Sequence, residues 1–326
     1  MKNKFKIICT LGPSSLNKSF LTFAKYNVDL LRLNMSHLSV KQLEKNLIKI
    51  KKYCKIPICI DTEGAQIRTK INKPKLIRSG QVLKIFPKQI KNNLSFYPSN
   101  IYEELKVNDV LNIGFSSLIV RITKKNKYNL FCKAISQGML ENNKGVHLQN
   151  RKINMNYITE KDLLAIKIGK KYNINNYALS FTNSSADIKK FNSLLTKENK
   201  IFKIETIDAC KNFKDMVKYG KFFLIDRGDL SKDTKIENIP IFQRDLFKIK
   251  NKSKGIKIFV ATNLLESMIL NNSPTRGEAN DIFNSLEMGA NGLVLAAETA
   301  IGNNPKESVL FLKRMIKVFR KSKYIN

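Results

Sequence analysis

The sequence predicts an α/β fold, a parallel (β/α)8 barrel interrupted once, after its third strand, by a small all-β domain. Three observations predict it. Short β-branched or apolar runs recur along the chain, helix-period stretches follow most of them, and one long segment holds alternating strands with no helices between them. Parallel strands need a crossover, and a helix is the usual one, so repeated strand–helix units close most simply into a barrel of the TIM type.

The barrel strands read, in order, as Lys6 to Thr10, Leu30 to Asn34, Ile56 to Thr62, Tyr177 to Phe181, Ile201 to Glu205, Phe222 to Asp226, Lys257 to Thr262 and Gly292 to Ala296. Helical periodicity fills Ser39 to Tyr53, Asp187 to Leu195, Ala209 to Tyr219, Thr275 to Met288 and Pro305 to Arg320. The rhythm breaks between the third and fourth strands. There LKIF, DVLNI, SLIVRIT and NLFCKAI alternate between Lys- and Asn-rich turns, which places an inserted β domain from about Ala65 to Ile153, suited to act as a lid. The expected division is residues 1–64 and 154–326 for the barrel and 65–153 for the insertion.

Composition narrows the function. The chain has 326 residues, 43% of them hydrophobic, which is enough to bury a large core and excludes a disordered or collagen-like chain. It contains no apolar run of about 18 residues and no signal-peptide pattern at Met1 to Thr10, so a cytoplasmic location away from the membrane is expected. The cysteines, Cys9, Cys54, Cys59, Cys132 and Cys210, are scattered without a C-x-x-C, which argues against a disulfide framework or a zinc site. Cys9 and Cys59 read as small core residues. Lys and Arg number 59 against 26 Asp and Glu, a formal charge of +33. Because the basic residues spread along the whole chain, they read as a composition bias and not as a nucleic-acid footprint, although a positive field favours anionic substrates.

Polar residues gather at the strand ends: Asn34 and Ser36, Asp61 and Thr62, Lys203 and Glu205, Asp226, Arg227 and Asp229, Thr262, and Glu298 with Thr299. In a barrel of this kind those ends converge on one mouth, where sites are built. Glu205 and Asp229 offer hard oxygen ligands of the kind Mg²⁺ takes, and Lys203, two residues before Glu205, projects to the same side of the sheet. A lysine beside a two-carboxylate metal suits phosphoryl transfer.

The chain resembles the pyruvate kinase family over essentially its whole length. The resemblance is carried by Ile8-Cys-Thr-Leu-Gly-Pro-Ser-Ser15, Leu31-Arg-Leu-Asn-Met-Ser-His37, Asp61-Thr-Glu-Gly-Ala-Gln-Ile-Arg-Thr69, Lys144-Gly-Val146 and Thr159-Glu-Lys-Asp162. It continues through Phe202-Lys-Ile-Glu205, Arg227-Gly-Asp-Leu230, Ala261-Thr-Asn-Leu-Leu-Glu-Ser-Met-Ile269, Pro274-Thr-Arg-Gly-Glu278 and Glu298-Thr-Ala300. The resemblance implies that Lys203 stabilises the phosphoryl group in flight and that Glu205 and Asp229 hold Mg²⁺ or Mn²⁺. Arg32 then contacts the substrate phosphate, while Asn34, Ser36, Asp61 and Thr62 form a K⁺ site. Gly228, Asp229, Thr262 and Ser180 line the pocket for the pyruvate carboxylate, with Thr262 as the proton-relay residue. His37, Arg68 and Lys144 fall on the nucleotide side.

The departures from the family pattern are uneven. Glu63 stands for a lysine, Ala65 for a proline and Gln66 for a glutamate linked with monovalent-cation dependence. Gly114-Phe115-Ser116 replaces an Asp-Asp-Gly, His147-Leu-Gln-Asn150 an Asn-Leu-Pro-Gly, Ile301 a lysine, and Asp226 a small residue before Arg-Gly-Asp. His147 is expected at the surface of the lid edge. The resemblance implies phosphoenolpyruvate and pyruvate with ADP and ATP as partners, and a chain without the family's C-terminal α/β domain, which is compatible with a homo-oligomer through barrel helices. Two alternatives stand beside it: a divergent paralogue that keeps the phosphoenolpyruvate half-site but uses another phosphoryl acceptor or donor, and a non-catalytic regulatory or binding protein with a vestigial site.

Overall fold

The structure, a computed structural model, describes residues 5–90, 92–114, 118–149, 151, 153 and 155–322. The chain falls into two compact units, one running to Gly64 and resuming at Tyr157, the other covering Ala65–Asn156. The second boundary lies three residues beyond the one the sequence predicts. The reason is packing, because Ile153 and Met155 still lie against the core of the inserted unit.

The first unit opens with β1 (Lys6–Thr10), α1 (Lys18–Asn27), β2 (Leu30–Asn34), α2 (Val40–Tyr53) and β3 (Ile58–Asp61). The inserted unit follows with β4 (Ile67–Lys70), β5 (Lys75–Ile77), β6 (Val82–Phe86), β7 (Leu94–Tyr97), α3 (Ile101–Glu104), β8 (Val110–Ile113), β9 (Leu118–Lys125), β10 (Leu130–Ala134), β11 (Gly138–Leu140) and β12 (Gly145–Leu148). The first unit resumes with α4 (Glu160–Lys171), β13 (Asn176–Leu179), α5 (Ser185–Leu194), β14 (Asn199–Ile204), α6 (Ile207–Met216), β15 (Phe222–Asp226) and α7 (Arg227–Asp233). It ends with α8 (Ile239–Lys252), β16 (Lys257–Ala261), α9 (Arg276–Glu287), β17 (Gly292–Leu295), α10 (Ala297–Ala300) and α11 (Pro305–Lys321).

The first unit closes a parallel barrel in the order β1, β17, β16, β15, β14, β13, β3, β2. The third strand starts at Ile58 and not at Ile56 because Pro57 has no amide proton; its carbonyl still accepts from Leu31. Capping boxes fix four of the crossover helices, with Ser39 and Gln42 on α2, Thr159 and Asp162 on α4, Ser184 and Asp187 on α5, and Thr275 and Glu278 on α9. Each box satisfies two amides that a helix start leaves unpaired. None of the helices among the described residues is long and apolar enough to cross a membrane.

The period-two pleat sorts each strand into two faces. Ile7, Cys9, Leu31, Leu33, Ile60, Leu179, Phe202, Ile204, Phe223, Ile225, Val260 and Leu293 face the helices and form the main core with them. The other face points inward. There Ile8, Leu30, Cys59, Ala178, Ile201, Leu224, Phe259 and Val294 pack into an apolar floor, with the Phe222 and Phe259 rings stacked 6.4 Å apart. Two residues further along the same strands, one pleat higher, come Thr10, Arg32, Asp61, Ser180, Lys203 and Asp226, all buried.

The inserted unit closes its own sheet in the order β10, β6, β7, β4, β12, β8, β9, mostly antiparallel, with β11 and β5 as a separate pair. It buries its own cluster, including Ile85, Leu111, Ile113, Val120, Ile122, Leu130 and Cys132. The four segments read from sequence correspond to β6, β8, β9 and β10. The remaining strands are three or four residues long, too short to display alternation.

Candidate active site

The centre of the inward-facing polar layer is Lys203, on β14 and 3% exposed. Its Nζ lies 2.7 Å from Glu205 Oε1, 3.3 Å from Asp226 Oδ2 and 3.4 Å from Asp61 Oδ2, and it donates to Ser180 Oγ at 3.4 Å. Burial alone would favour the neutral amine, but Asp61, Glu205 and Asp226 outweigh it and hold the ammonium well above the ordinary lysine range. Arg32 makes the second cation. Its Nε and Nη2 meet Asp61 Oδ2 at 2.7 and 2.6 Å, and Nη1 donates to Thr10 Oγ1 at 3.1 Å. In the β2–β3 register Arg32 stands opposite Cys59 and Asn34 opposite Asp61, so the Arg32 side chain reaches one pleat along the neighbouring strand to meet Asp61.

Glu205 follows β14 and is 1% exposed; its Oε2 accepts from the Phe181 amide at 2.5 Å. Burial pushes its carboxyl up to about 8 against the pull of Lys203. Asp229 lies in the first turn of α7. Burial raises its carboxyl too, but Lys232, whose ammonium is 2.5 Å away, and Lys203 reverse the sign and hold it well below the usual carboxylate range. One oxygen from each of Glu205, Asp226 and Asp229 lies within 4.8 Å of one from each of the others. Glu205 Oε1 and Asp226 Oδ1 are buried and short of hydrogen-bond donors, with the Lys203 ammonium 2.7 Å from Glu205 Oε1. Hard carboxylate oxygens left short of donors fit a divalent cation of the Mg²⁺ type.

The oxygen groups expected to hold K⁺ sit at the ends of β2 and β3. Asn34 Oδ1 accepts from the Ser36 amide at 2.9 Å, and Thr62 Oγ1 accepts from the Ser180 amide at 2.9 Å. Asp61, the charged member, is shared among Arg32, Lys203 and Ser180, whose Oγ donates to Oδ1 at 3.2 Å. These are hard donors of the type K⁺ accepts, and a bound ion would share Asp61 with two cations.

Thr262 follows β16 in the left-handed region, at φ +68°, which a β-branched residue rarely adopts. Its Oγ1 accepts from the Gly228 amide at 2.7 Å and donates to the Ala261 carbonyl at 2.6 Å. Arg227 holds the Thr262 carbonyl through Nε at 3.2 Å and Nη2 at 2.7 Å, and Asp281 grips the same guanidinium at 2.8 and 2.7 Å. Thus Arg227 and Asp281 support the site. The sequence reading placed Arg227 at a strand end but gave it no role, and it did not single out Asp281.

The three residues expected on the nucleotide side divide between the units. His37 is exposed in the turn after β2. Arg68 and Lys144 belong to the inserted unit, where Arg68 pairs with Gly145 in the β4–β12 register and donates to the Asn143 carbonyl at 3.1 Å, while Lys144 lies 3.2 Å from Glu141.

Several departures resolve into structure. Glu63 is buried and paired with Lys161 at 2.6 Å, so it does not face open space. Ile301 is 60% exposed. His147, expected at the surface, is half-buried on β12, whose neighbours β4 and β8 cover it on both edges. Phe115, Ser116 and Asn150 lie outside the described residues. Glu298 and Thr299 are structural: Glu298 accepts from the Leu265 and Ala296 amides, and Thr299 donates to the Thr10 carbonyl.

The family model for the pyruvate kinase barrel domain matches residues 2–309. Pyruvate kinase of Methanocaldococcus jannaschii is 33% identical over 333 residues, covering 98% of this chain and 70% of that one. The Staphylococcus haemolyticus pyruvate kinase is 32% identical over 96% of this chain and 56% of its own, and that of Thermotoga maritima is 29% identical over 96% and 70%. The chain therefore spans between 56% and 70% of the length of these relatives.

Proposed function

The chain belongs to the pyruvate kinase family, and from that premise we propose that it transfers a phosphoryl group between phosphoenolpyruvate and ADP, releasing pyruvate in the cytoplasm with the help of Mg²⁺ or Mn²⁺ and of K⁺. The observation that carries the reading is the Lys203 ammonium, buried at the barrel mouth between Arg32 with Asp61 on one side and Glu205, Asp226 and Asp229 on the other.

Phosphoryl transfer asks the protein for position and charge more than for covalent chemistry. Glu205 and Asp229 would hold the divalent cation, which when bound supplies positive charge to the phosphoryl oxygens in transit. Lys203 would hold the moving group from the side, and its buried pairing keeps it charged at any working pH. Arg32, anchored through Nε and Nη2 on Asp61, would orient the substrate phosphate. Thr262 would bring its hydroxyl proton, now donated to Ala261, to the carbon that becomes the methyl of pyruvate. Asn34, Ser36, Asp61 and Thr62 would hold K⁺ near the substrate phosphate, and His37, Arg68 and Lys144 would serve the nucleotide.

The test is an assay of pyruvate release from phosphoenolpyruvate with ADP and other nucleoside diphosphates. Turnover with ADP is expected, falling by about 10²-fold or more in Lys203→Met. No turnover with any diphosphate, or an unchanged rate in Lys203→Met, would overturn the assignment.

A further inference from the structure

We propose that Asp226 is a third carboxylate of the divalent-cation site and that it strengthens the hold of the site on Mg²⁺ or Mn²⁺. This rests on the phosphotransfer reading for the kind of cation, but its geometry stands apart. Asp226 is the last residue of β15, one pleat above Leu224 in the barrel floor, so its side chain points inward, and its Oδ2 lies 3.3 Å from the Lys203 ammonium. It is 3% exposed, its Oδ1 makes no hydrogen bond, and one of its oxygens lies within 4.8 Å of an oxygen from both Glu205 and Asp229.

A single ammonium cannot satisfy this many acids. Lys203 is shared among Asp61, Glu205 and Asp226, and Arg32 is committed to Asp61. Even with Lys232 paired to Asp229, the four acids Asp61, Glu205, Asp226 and Asp229 outnumber the three bases, and an underpaired buried carboxylate is costly. A divalent ion among Glu205, Asp226 and Asp229 removes that deficit. Three ligands about 2.1 Å from Mg²⁺ stand about 3 Å apart at adjacent corners of the octahedron, so the three oxygens, now within 4.8 Å of one another, draw in around the ion as it binds.

With two carboxylates, such an ion leans on water and substrate oxygens to complete its shell; a third raises the ligand charge that sets its affinity. The small residue that the family places before Arg-Gly-Asp supplies no such ligand.

Mn²⁺ titration of the full chain, followed by electron paramagnetic resonance with neither phosphoenolpyruvate nor nucleotide present, tests the inference. Wild-type protein is expected to bind one Mn²⁺, with affinity weakened about 10-fold or more in Asp226→Asn and in Asp226→Ala. Far-UV circular dichroism confirms that each variant is folded. Equal affinity in either folded variant would assign Asp226 to pairing with Lys203 alone and overturn the proposal. So would failure of the wild-type chain to take up Mn²⁺ without substrate, a result that needs no variant. Because the titration contains no substrate, a chain inactive on phosphoenolpyruvate could still pass it, and an active chain could still fail it.

Discussion

Thr262 shows what the barrel mouth requires of a single residue. A left-handed β-branched residue costs on the order of 1–3 kcal/mol and persists only when its surroundings fix it, which Arg227, Asp281 and the Gly228 amide do here. Removing the hydroxyl while keeping the branch is therefore doubly harmful. Thr262→Val is expected to lose about 1–2 kcal/mol of stability and about 10²-fold in kcat, whereas Thr262→Ser keeps both within a modest range; thermal melts and steady-state kinetics compare them. The cysteines make the opposite case. All are buried, and burial pushes the thiols of Cys132 and Cys210 up to about 12 and those of Cys9 and Cys59 higher still. The thiolate is the reactive form, so raised values mean almost none at pH 8. Iodoacetamide is expected to label none of the five in native protein and all five after denaturation, as read by mass spectrometry. Lys203 and Glu205 could be read from sequence because two-residue spacing on one strand puts them together. Asp226 could be seen as a departure from the family but not as a ligand, since only the β14–β15 register, with Ile204 opposite Ile225, sets it beside Glu205 and leaves its Oδ2 3.3 Å from the Lys203 ammonium. The signal was present in the alternation Leu224, Asp226, which continues the inward face.

At the scale of elements, Asp162 joins two functions. It closes the capping box of α4 and also accepts from the Glu63 and Gly64 amides at 2.7 and 3.1 Å, fixing the chain just beyond β3. Gly64 needs that fixing: its φ is +70°, and a Cβ there would meet Ser180 Cβ at 2.7 Å. Asp162→Ala leaves buried amides unpaired and is expected to cost roughly 3–5 kcal/mol, measured by denaturant unfolding, and to disturb Asp61 and Thr62 with it. The barrel strands were legible because each is an apolar run of the right length bounded by turns, with β1, β2 and β15 matching the expected limits residue for residue. In the inserted unit β5 and β11 are three residues long, and their pairing is decided by contacts distant in sequence. Local pattern could not find them.

For the whole molecule, a formal charge of +33 stores self-repulsion that the folded state must overcome. Salt shortens the range of that repulsion from about 30 Å at 0.01 M to about 8 Å at 0.15 M. The melting temperature is therefore expected to rise with NaCl at constant pH. A fall would mean that the favourable ion pairs outweigh the net field. The apolar floor has a different reach. Ile8, Leu30, Cys59, Ile201, Leu224, Phe259 and Val294 stop the cylinder beneath Lys203. The barrel axis is thus a packed plug and no pore, so a molecule held at Lys203 would leave on the side of the strand ends by which it came.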